Sequence, residues 1–364
     1  MALSIIPPMT QPLRWDLFCH VIDNFGDVGV SWRLAADLAR RGQQVRLWID
    51  DPSALAWMAP AGQPGVEVLR WAEPLPDREP GDVVVETFGC QLPATFVQRM
   101  RRPCPPVWIN FEYLSAESYV ERSHGLPSPQ LEGPGQGLSK WFLYPGFTPR
   151  TAGLIREPEL LPRRAAFDAT AWLASHGVQR QQGERVVSLF CYENAALPTW
   201  LDSLAEVPTV LLVTPDRAAR QVRSALGDGG RTGALRTVML PYLPQDEFDH
   251  LLWASDLNFV RGEDSFSRAQ WAGVPFIWQI YPQVDDFHAV KLDAFLDRYL
   301  DAAAPAQGVQ IRALWHGWNG LSGVTRPTWP EGKDWQRLAR DWSAHLAALP
   351  DATDCLLRFA ADRG

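Results

Sequence analysis

The sequence lacks most of the features that fix a function quickly. It has no run of 18 apolar residues, so nothing in it is long enough to span a bilayer as a helix. Residues 1–11 do not pair a basic start with an apolar core and do not read as a signal peptide. The five cysteines, Cys19, Cys90, Cys104, Cys191 and Cys355, form no CxxC pair and share no zinc-like spacing with histidine. Reduced thiols in a cytoplasmic protein are the plain reading. Positive charge is in deficit as well. A net charge of −8 argues against broad binding to nucleic acid or to an anionic membrane, and suits a basic partner. No GxGxxG, HExxH or Ser–His–Asp order is present, so the dinucleotide fingerprint, the zinc-protease motif and the hydrolase triad all drop out. Asp50-Asp51 and Asp285-Asp286 are not DxD metal motifs and read as surface caps. The seven histidines show no ligand spacing; His20 is near enough to a cleft loop to reach it but reads better as a core or surface residue.

What is present is a chain of 364 residues, 46% hydrophobic, which is enough for two ordinary domains. Its 17 tryptophans are unusual, and such rings often line ligand clefts. Through the first half, strands read over 17–19, 45–49, 66–69, 83–86 and 107–111, with helices over 30–41 and 94–101. From 127 to 162 proline and glycine are dense, and the pattern weakens to loop and linker around one strand at 141–144. The alternation then restarts, with strands over 186–190, 209–213, 235–240, 257–260 and 274–278. Helices read over 197–205, up to 226, and over 245–253, 265–272 and 285–299, and two more over 334–349 and 352–361 close the chain. The fold class is therefore α/β, two doubly wound parallel sheets in tandem. The expected divisions are a first Rossmann-like domain at 1–160, a second at 161–335 and closing helices at 336–364.

Ligands of open α/β sheets bind beyond the carboxyl ends of the strands. Two loops at such ends stand out. Asp23-Asn-Phe-Gly-Asp-Val-Gly29 lies between the first strand and the first helix, with glycines suited to tight turning or close backbone approach. If the helix runs from Val28, Asp27 is placed either to cap it or to act chemically; Asp23 comes too early to cap it and is the better chemical candidate. Arg261-Gly-Glu-Asp-Ser-Phe266 opens a later helix. Amides from Asp264 to Phe266 at a helix N-terminus suit a phosphate, and Arg261 adds charge. Asp264 or Ser265 as a plain cap is the competing reading, and Glu263 alone reads as solvated. Phe190, Tyr192, Tyr242 and Phe248 flank these loops, either as core or as rings that stack on a base.

Phe18-Cys-His-Val-Ile-Asp-Asn-Phe-Gly-Asp-Val-Gly-Val-Ser-Trp-Arg33 resembles the N-terminal signature of the EarP family. Val260-Arg-Gly-Glu-Asp-Ser-Phe-Ser-Arg-Ala-Gln-Trp-Ala-Gly273, followed by Pro275-Phe-Ile-Trp-Gln-Ile-Tyr-Pro-Gln283, resembles its C-terminal one. The similarity runs from about Trp15 to the end. It implies a GT-B fold and an inverting protein-arginine rhamnosyltransferase. The implied donor is dTDP-β-L-rhamnose, and the acceptor is one arginine on the N-terminal domain of elongation factor P, the factor that rescues ribosomes stalled on proline runs. By matching positions, Asp23 would be the catalytic carboxylate, supported by Asp27, with Glu263 a further required carboxylate. Asn24, Phe25 and Gly26 would lie along the donor. Phe190, Tyr192, Tyr242, Gln245 and Phe248 would hold the thymidine. Arg261, Asp264 and Ser265 would take the diphosphate, the last two through backbone amides. No metal or other cofactor is implied.

The chemistry asked of these residues is demanding. A guanidinium is no nucleophile while protonated. A carboxylate can orient it and take a proton as the new bond forms, and Asp23 with Asp27 could grip it from two sides. Three other readings stay open: another GT-B transferase with a small acceptor, a sugar-nucleotide epimerase, and a non-catalytic protein-binding module.

Overall fold

The alternation of strands and helices is realised as two sheets in a computed structural model. It describes residues 12–363 apart from 228, 282–286, 324–325 and 331, and only the backbone of Asn24 and Phe287. Residues 1–11, read as free of a leader, and the Asp285-Asp286 pair lie outside the described residues. Among the described residues no helix is long and apolar enough to cross a membrane.

The first sheet contains β1 (Arg14–Cys19), β2 (Gln44–Ile49), β3 (Val66–Arg70), β4 (Val83–Thr87), β5 (Val107–Phe111), β6 (Leu126–Pro129) and β7 (Ser139–Leu143), in the order β3-β2-β1-β4-β5-β7-β6. The second contains β8 (Arg185–Leu189), β9 (Thr209–Val213), β10 (Arg231–Thr232), β11 (Leu235–Met239), β12 (Leu257–Arg261) and β13 (Phe276–Gln279), in the order β10-β11-β9-β8-β12-β13. All neighbours are parallel except β6–β7 and β10–β11. Strands covered on both faces must be apolar throughout. Accordingly β4 (Val-Val-Val-Glu-Thr) and β9 (Thr-Val-Leu-Leu-Val) are buried at every position. In the first sheet the order reverses at β1, with β2 on one side and β4 on the other. In the second it reverses at β8, between β9 and β12. Those are the switch points where such sheets take ligands, and both loops singled out in the sequence emerge beside them.

Several elements differ from expectation. The helix expected over 30–41 is Asn24–Arg40, and the one over 265–272 is Gly262–Ala272. The stretch read as linker carries an antiparallel pair, β6 with β7, and a short helix, Leu160–Ala165. An unexpected helix, Pro305–Trp318, buries Ile311, Leu314, Trp315 and Trp318; Gly308 and Gly317 inside it break the helical pattern. Most of the tryptophans pack into cores: Trp15 in the first, and Trp200, Trp271, Trp315, Trp318 and Trp335 in the second.

The chain crosses between the halves twice. Phe147 and Leu154 already belong to the second core, and helix Gly332–Ala347 packs there through Trp335, Leu338 and Leu346. Helix Ala352–Ala361 returns to the first core through Ala352, Leu356 and Ala360. The cores thus reach across the boundaries drawn at 160 and 335. Where the crossings meet, a Cβ on Gly153 (φ +75°) would come within 2.0 Å of the Pro350 carbonyl oxygen, so only glycine fits. Arg41 ties both crossings down, donating to the Arg156 carbonyl (3.2 Å) and to Asp351 (3.0 Å).

Candidate active site

Beyond β1 the chain turns into helix Asn24–Arg40 with Asp23 at the N-cap position, though its side chain makes no cap bond. Asp23 is therefore not too early to cap the helix; the helix starts sooner than expected. The two glycines explain the misreading. Neither Gly26 nor Gly29 has a positive φ, and both are helical. A Cβ on Gly26 would lie 2.9 Å from Asp23 Oδ2, and one on Gly29 would lie 2.8 Å from Asp264 Oδ2. Gly29 is bare so that this helix can press against helix Gly262–Ala272, and Gly26 so that the Asp23 carboxylate can lie over it, not to make a turn.

Asp23 Oδ2 accepts a hydrogen bond from the Tyr192 hydroxyl at 2.5 Å, across the two domains. Asp27 is 2% exposed, and its Oδ2 accepts the backbone N–H groups of Ile22 and Asp23, both at 2.8 Å. Burial raises its pKa, and the two amides oppose that rise. The two-sided grip expected of Asp23 and Asp27 is thus not what forms. Asp27 faces back into its own loop and fixes the backbone that carries Asp23. Asn24 opens the helix.

The second junction follows β12. Arg261 is the N-cap, and Gly262 has φ +63°. A Cβ there would meet Asp23 Oδ2 at 2.8 Å and the Tyr192 hydroxyl at 3.4 Å, so the position requires glycine twice over. Because the helix starts at Gly262, the unpaired first-turn amides are those of Gly262, Glu263 and Asp264 rather than 264–266. The Ser265 hydroxyl donates to the Arg261 carbonyl and accepts the Arg261 N–H. The Arg261 guanidinium lies over Tyr192 (4.4 Å), Phe190 (4.5 Å) and Phe25 (5.7 Å). Burial lowers its pKa, opposed by Tyr192 and Asp23; a guanidinium remains cationic regardless.

Glu263 is half-buried rather than free in solvent. Its Oε1 accepts the Leu114 N–H at 3.1 Å, and it lines the seam between the domains with Val30 and Phe111. Burial, with some repulsion from Asp27 and Asp264, pushes its pKa up to about 8.

One pocket joins the two junctions. Its walls are Asp23, Phe25 and Gly26 from the first domain and Phe190, Tyr242, Gln245, Phe248, Arg261, Asp264 and Ser265 from the second. Tyr192 is not among them. Its ring is buried behind Arg261, and its N–H donates to Gln279 at 2.8 Å. Gln245 Nε2 donates across the seam to the Gly29 carbonyl (3.0 Å) and, within its own domain, to Asp264 (3.3 Å). Phe190 meets Phe248 edge-on at 5.5 Å, and the Tyr242 hydroxyl donates to Asp216 at 2.6 Å. A second cavity, of about 500 Å³, lies within the first domain and is lined by His20, Ile22, Asp50, Trp71 and Phe88. His20 Nδ1 lies 2.6 Å from Asp50 Oδ2, and its side chain is exposed, in keeping with the surface reading. Asp50 and Asp51 cap the Val21 and Ser53 amides as expected, but Asp50 is also a cavity wall.

Residues 15–361 match the family of elongation-factor P (EF-P) rhamnosyltransferases, EarP. The chain belongs to this family. It is 44% identical to a protein-arginine rhamnosyltransferase of Pseudomonas aeruginosa, with 96% of this chain and 99% of that protein covered. A protein-arginine rhamnosyltransferase of Neisseria meningitidis is 37% identical, with 97% and 98% covered. A structure solved for EarP-mediated arginine glycosylation of translation elongation factor EF-P superposes with a TM-score of 0.67 at 33% identity, covering 96% of this chain and 99% of that one. The glycosyltransferase VinC in complex with DTDP superposes with a TM-score of 0.51 at 12% identity, covering 96% and 100%, which shows the shared GT-B fold alone.

In this EarP-family chain the seam between the domains is held by buried charges to most of which the sequence reading gave no role. Arg33, on the first domain's helix, donates through Nε to Asp264 (2.7 Å) and through its other nitrogens to Asp249 (3.2 and 3.3 Å). Arg268 completes the cluster by donating to Asp249 (2.6 and 2.8 Å) and to Glu157 (2.7 Å). Burial alone would raise the Glu157 pKa; Arg268 and Arg33 hold it down to about 2. Arg33 stands inside the quoted signature, but only the fold shows the acids that await it. Trp57, Met58 and Asp216 are further pocket walls missed in the sequence. The tryptophan surplus was a signal without an address.

Proposed function

We propose that this chain transfers L-rhamnose from dTDP-β-L-rhamnose to one arginine side chain of elongation factor P, with inversion at the sugar carbon. The observation that carries the reading is the meeting of the two junctions. A carboxylate of the first domain, Asp23, rests over Gly262, the first residue of the second domain's anion-ready helix. The diphosphate is taken by Arg261 and the first-turn amides, and the thymidine by the rings of Phe190, Phe248 and Tyr242. The acceptor arginine comes from the side of the cavity beside His20 and Ile22. Asp23 then gives up the Tyr192 hydroxyl and takes the guanidinium in its place. One guanidine nitrogen bonds to C1 of the sugar as the C1–O bond to the diphosphate breaks. The N–H proton passes to Asp23, and the electron pair leaves with dTDP. Holding both partners in line across the cleft is the larger part of the task. The leaving charge is met by Arg261 and the helix N-terminus, so the reading uses no metal. It places the work in the cytoplasm, with the translation factor it modifies, and explains an acidic enzyme for a basic side chain.

The test is the intact mass of elongation factor P after incubation with the protein and dTDP-rhamnose, beside an acceptor whose loop arginine is changed to lysine. A gain of one deoxyhexose on the first acceptor only is the expected result. No gain, with donor bound or consumed, sends the search to another acceptor or to epimerase chemistry.

A further inference from the structure

The donor pocket has two unlike ends. At one, Arg261 and the first turn of helix Gly262–Ala272 supply positive charge and amides. At the other the walls are Pro215, Pro241, Tyr242, Phe248, Trp57 and Met58. Four of those six belong to the second domain. Trp57 and Met58 do not; they come from helix Leu55–Met58, which follows β2 in the first domain. The Trp57 ring lies 4.8 Å from Tyr242 at 43° and 5.1 Å from Phe25 at 88°, so it forms an aromatic bridge between the domains directly over the apolar end.

The second-domain walls are fixed in place. Tyr242 is anchored by its hydroxyl on Asp216, and Phe248 packs against Phe190. The space enclosed by the walls is about 60 Å³, room for a few waters and far short of a nucleotide. Loading therefore requires walls to move apart, and Phe25, Trp57 and Met58, which pack on the first domain's core, move with that domain as a unit.

We infer that Trp57 is a nucleotide-binding residue supplied by the acceptor-side domain. It closes over the base end of the donor, so that nucleotide occupancy and domain closure are one event. The ligand class is a pyrimidine nucleoside diphosphate: the charged end takes the diphosphate, and the Trp57 end covers the flat base. The consequence is a division of binding energy between domains. The anion end belongs wholly to the second domain, and the base end is completed only when the first domain arrives. This inference rests on the donor reading above.

The experiment is calorimetric titration of the whole protein and of Trp57→Ala and Trp57→Phe with dTDP and, separately, with inorganic pyrophosphate. A base stacked on an aromatic ring is worth about tenfold or more in affinity. Trp57→Ala is therefore expected to weaken dTDP by that factor and leave pyrophosphate unchanged, while Trp57→Phe recovers most of the loss. Equal dTDP affinity in Trp57→Ala and the parent protein overturns the inference. So does an equal loss for dTDP and pyrophosphate, which marks a general structural effect. If the parent protein itself does not bind dTDP, the donor reading falls and takes this inference with it.

Discussion

After β1 the chain offers a side chain to the cleft; after β12 it offers backbone. Both junctions sit at a sheet's switch point, both lead into a helix, and the two helices press together through Gly29. Yet Asp23 at the first projects its carboxylate to the contact with the other domain, whereas the acids at the second turn away. Glu263 faces Leu114, and Asp264 faces Arg33. A helix N-terminus favours an anion nearby whether the protein or the ligand carries it. At the first junction the anion is the protein's own. At the second, with its acids withdrawn, the place is left for a ligand's phosphate. One local architecture, used with opposite sign of ownership, gives a cleft with a base on one wall and an anion site on the other.

The strongest way to break that comparison is to remove the owned anion. Asp23→Asn is expected to lower rhamnose transfer by about 10²–10⁴-fold while dTDP affinity is kept. Intact-mass assays and calorimetry read the two quantities separately. A matching fall in dTDP affinity would show that Asp23 belongs to the donor site, and the division between the walls would be lost.

Next comes the device that turns the second junction's acids away. Arg33→Met leaves Asp264 and Asp249 buried with one cation fewer. Breaking a buried pair in this way costs about 3–5 kcal/mol. The loss should appear as a lower unfolding midpoint in urea and as a more open molecule in small-angle scattering. An unchanged midpoint would mean that Arg33 adds nothing to the seam.

These two residues also mark what the sequence made legible. The α/β alternation was plain, because buried parallel strands read as apolar runs. Both junctions were found because loops after strands are where such sheets bind ligands. Asp23 and Arg261 stood out as charged residues at those loops. Helix starts were misplaced at both junctions for one reason: Gly26, Gly29 and Gly262 look like turn residues until the neighbouring helix is known. Arg33 and Trp57 escaped because their partners are far away in the chain. Nothing near Arg33 in sequence announces Asp249 or Asp264, and nothing near Trp57 announces Tyr242. Glu263 read as solvated because its bond with the Leu114 N–H is a tertiary fact.

Glu263 supplies a smaller test, on pH. Its carboxyl holds its proton up to about 8 in the folded protein, against 4.5 for the ordinary group. The raised value means that its contribution to stability is complete below pH 4.5 and is lost as pH climbs to about 8. Glu263→Gln carries no such proton. Its thermal midpoint should therefore gain on that of the parent protein by several degrees, roughly 4 kcal/mol, between pH 5 and pH 9. A constant gap across that range would mean that Glu263 is charged throughout, and that the second junction keeps an anion of its own.

The smallest expected effect tests whether the second junction works through backbone alone. The Ser265 hydroxyl gives its proton to the Arg261 carbonyl and accepts the Arg261 N–H, leaving it no proton to offer a phosphate. Removing it in Ser265→Ala should cost about 0.5–1.5 kcal/mol of stability, one ordinary hydrogen bond, while dTDP affinity stays close to that of the parent protein. The amides of Gly262, Glu263 and Asp264 are untouched by the change, and they are the groups held to meet the phosphates. If dTDP binding instead falls tenfold while the unfolding midpoint hardly moves, the hydroxyl must leave Arg261 and bond the diphosphate. Both junctions would then offer side chains, and the contrast between them would reduce to the charge of what is offered.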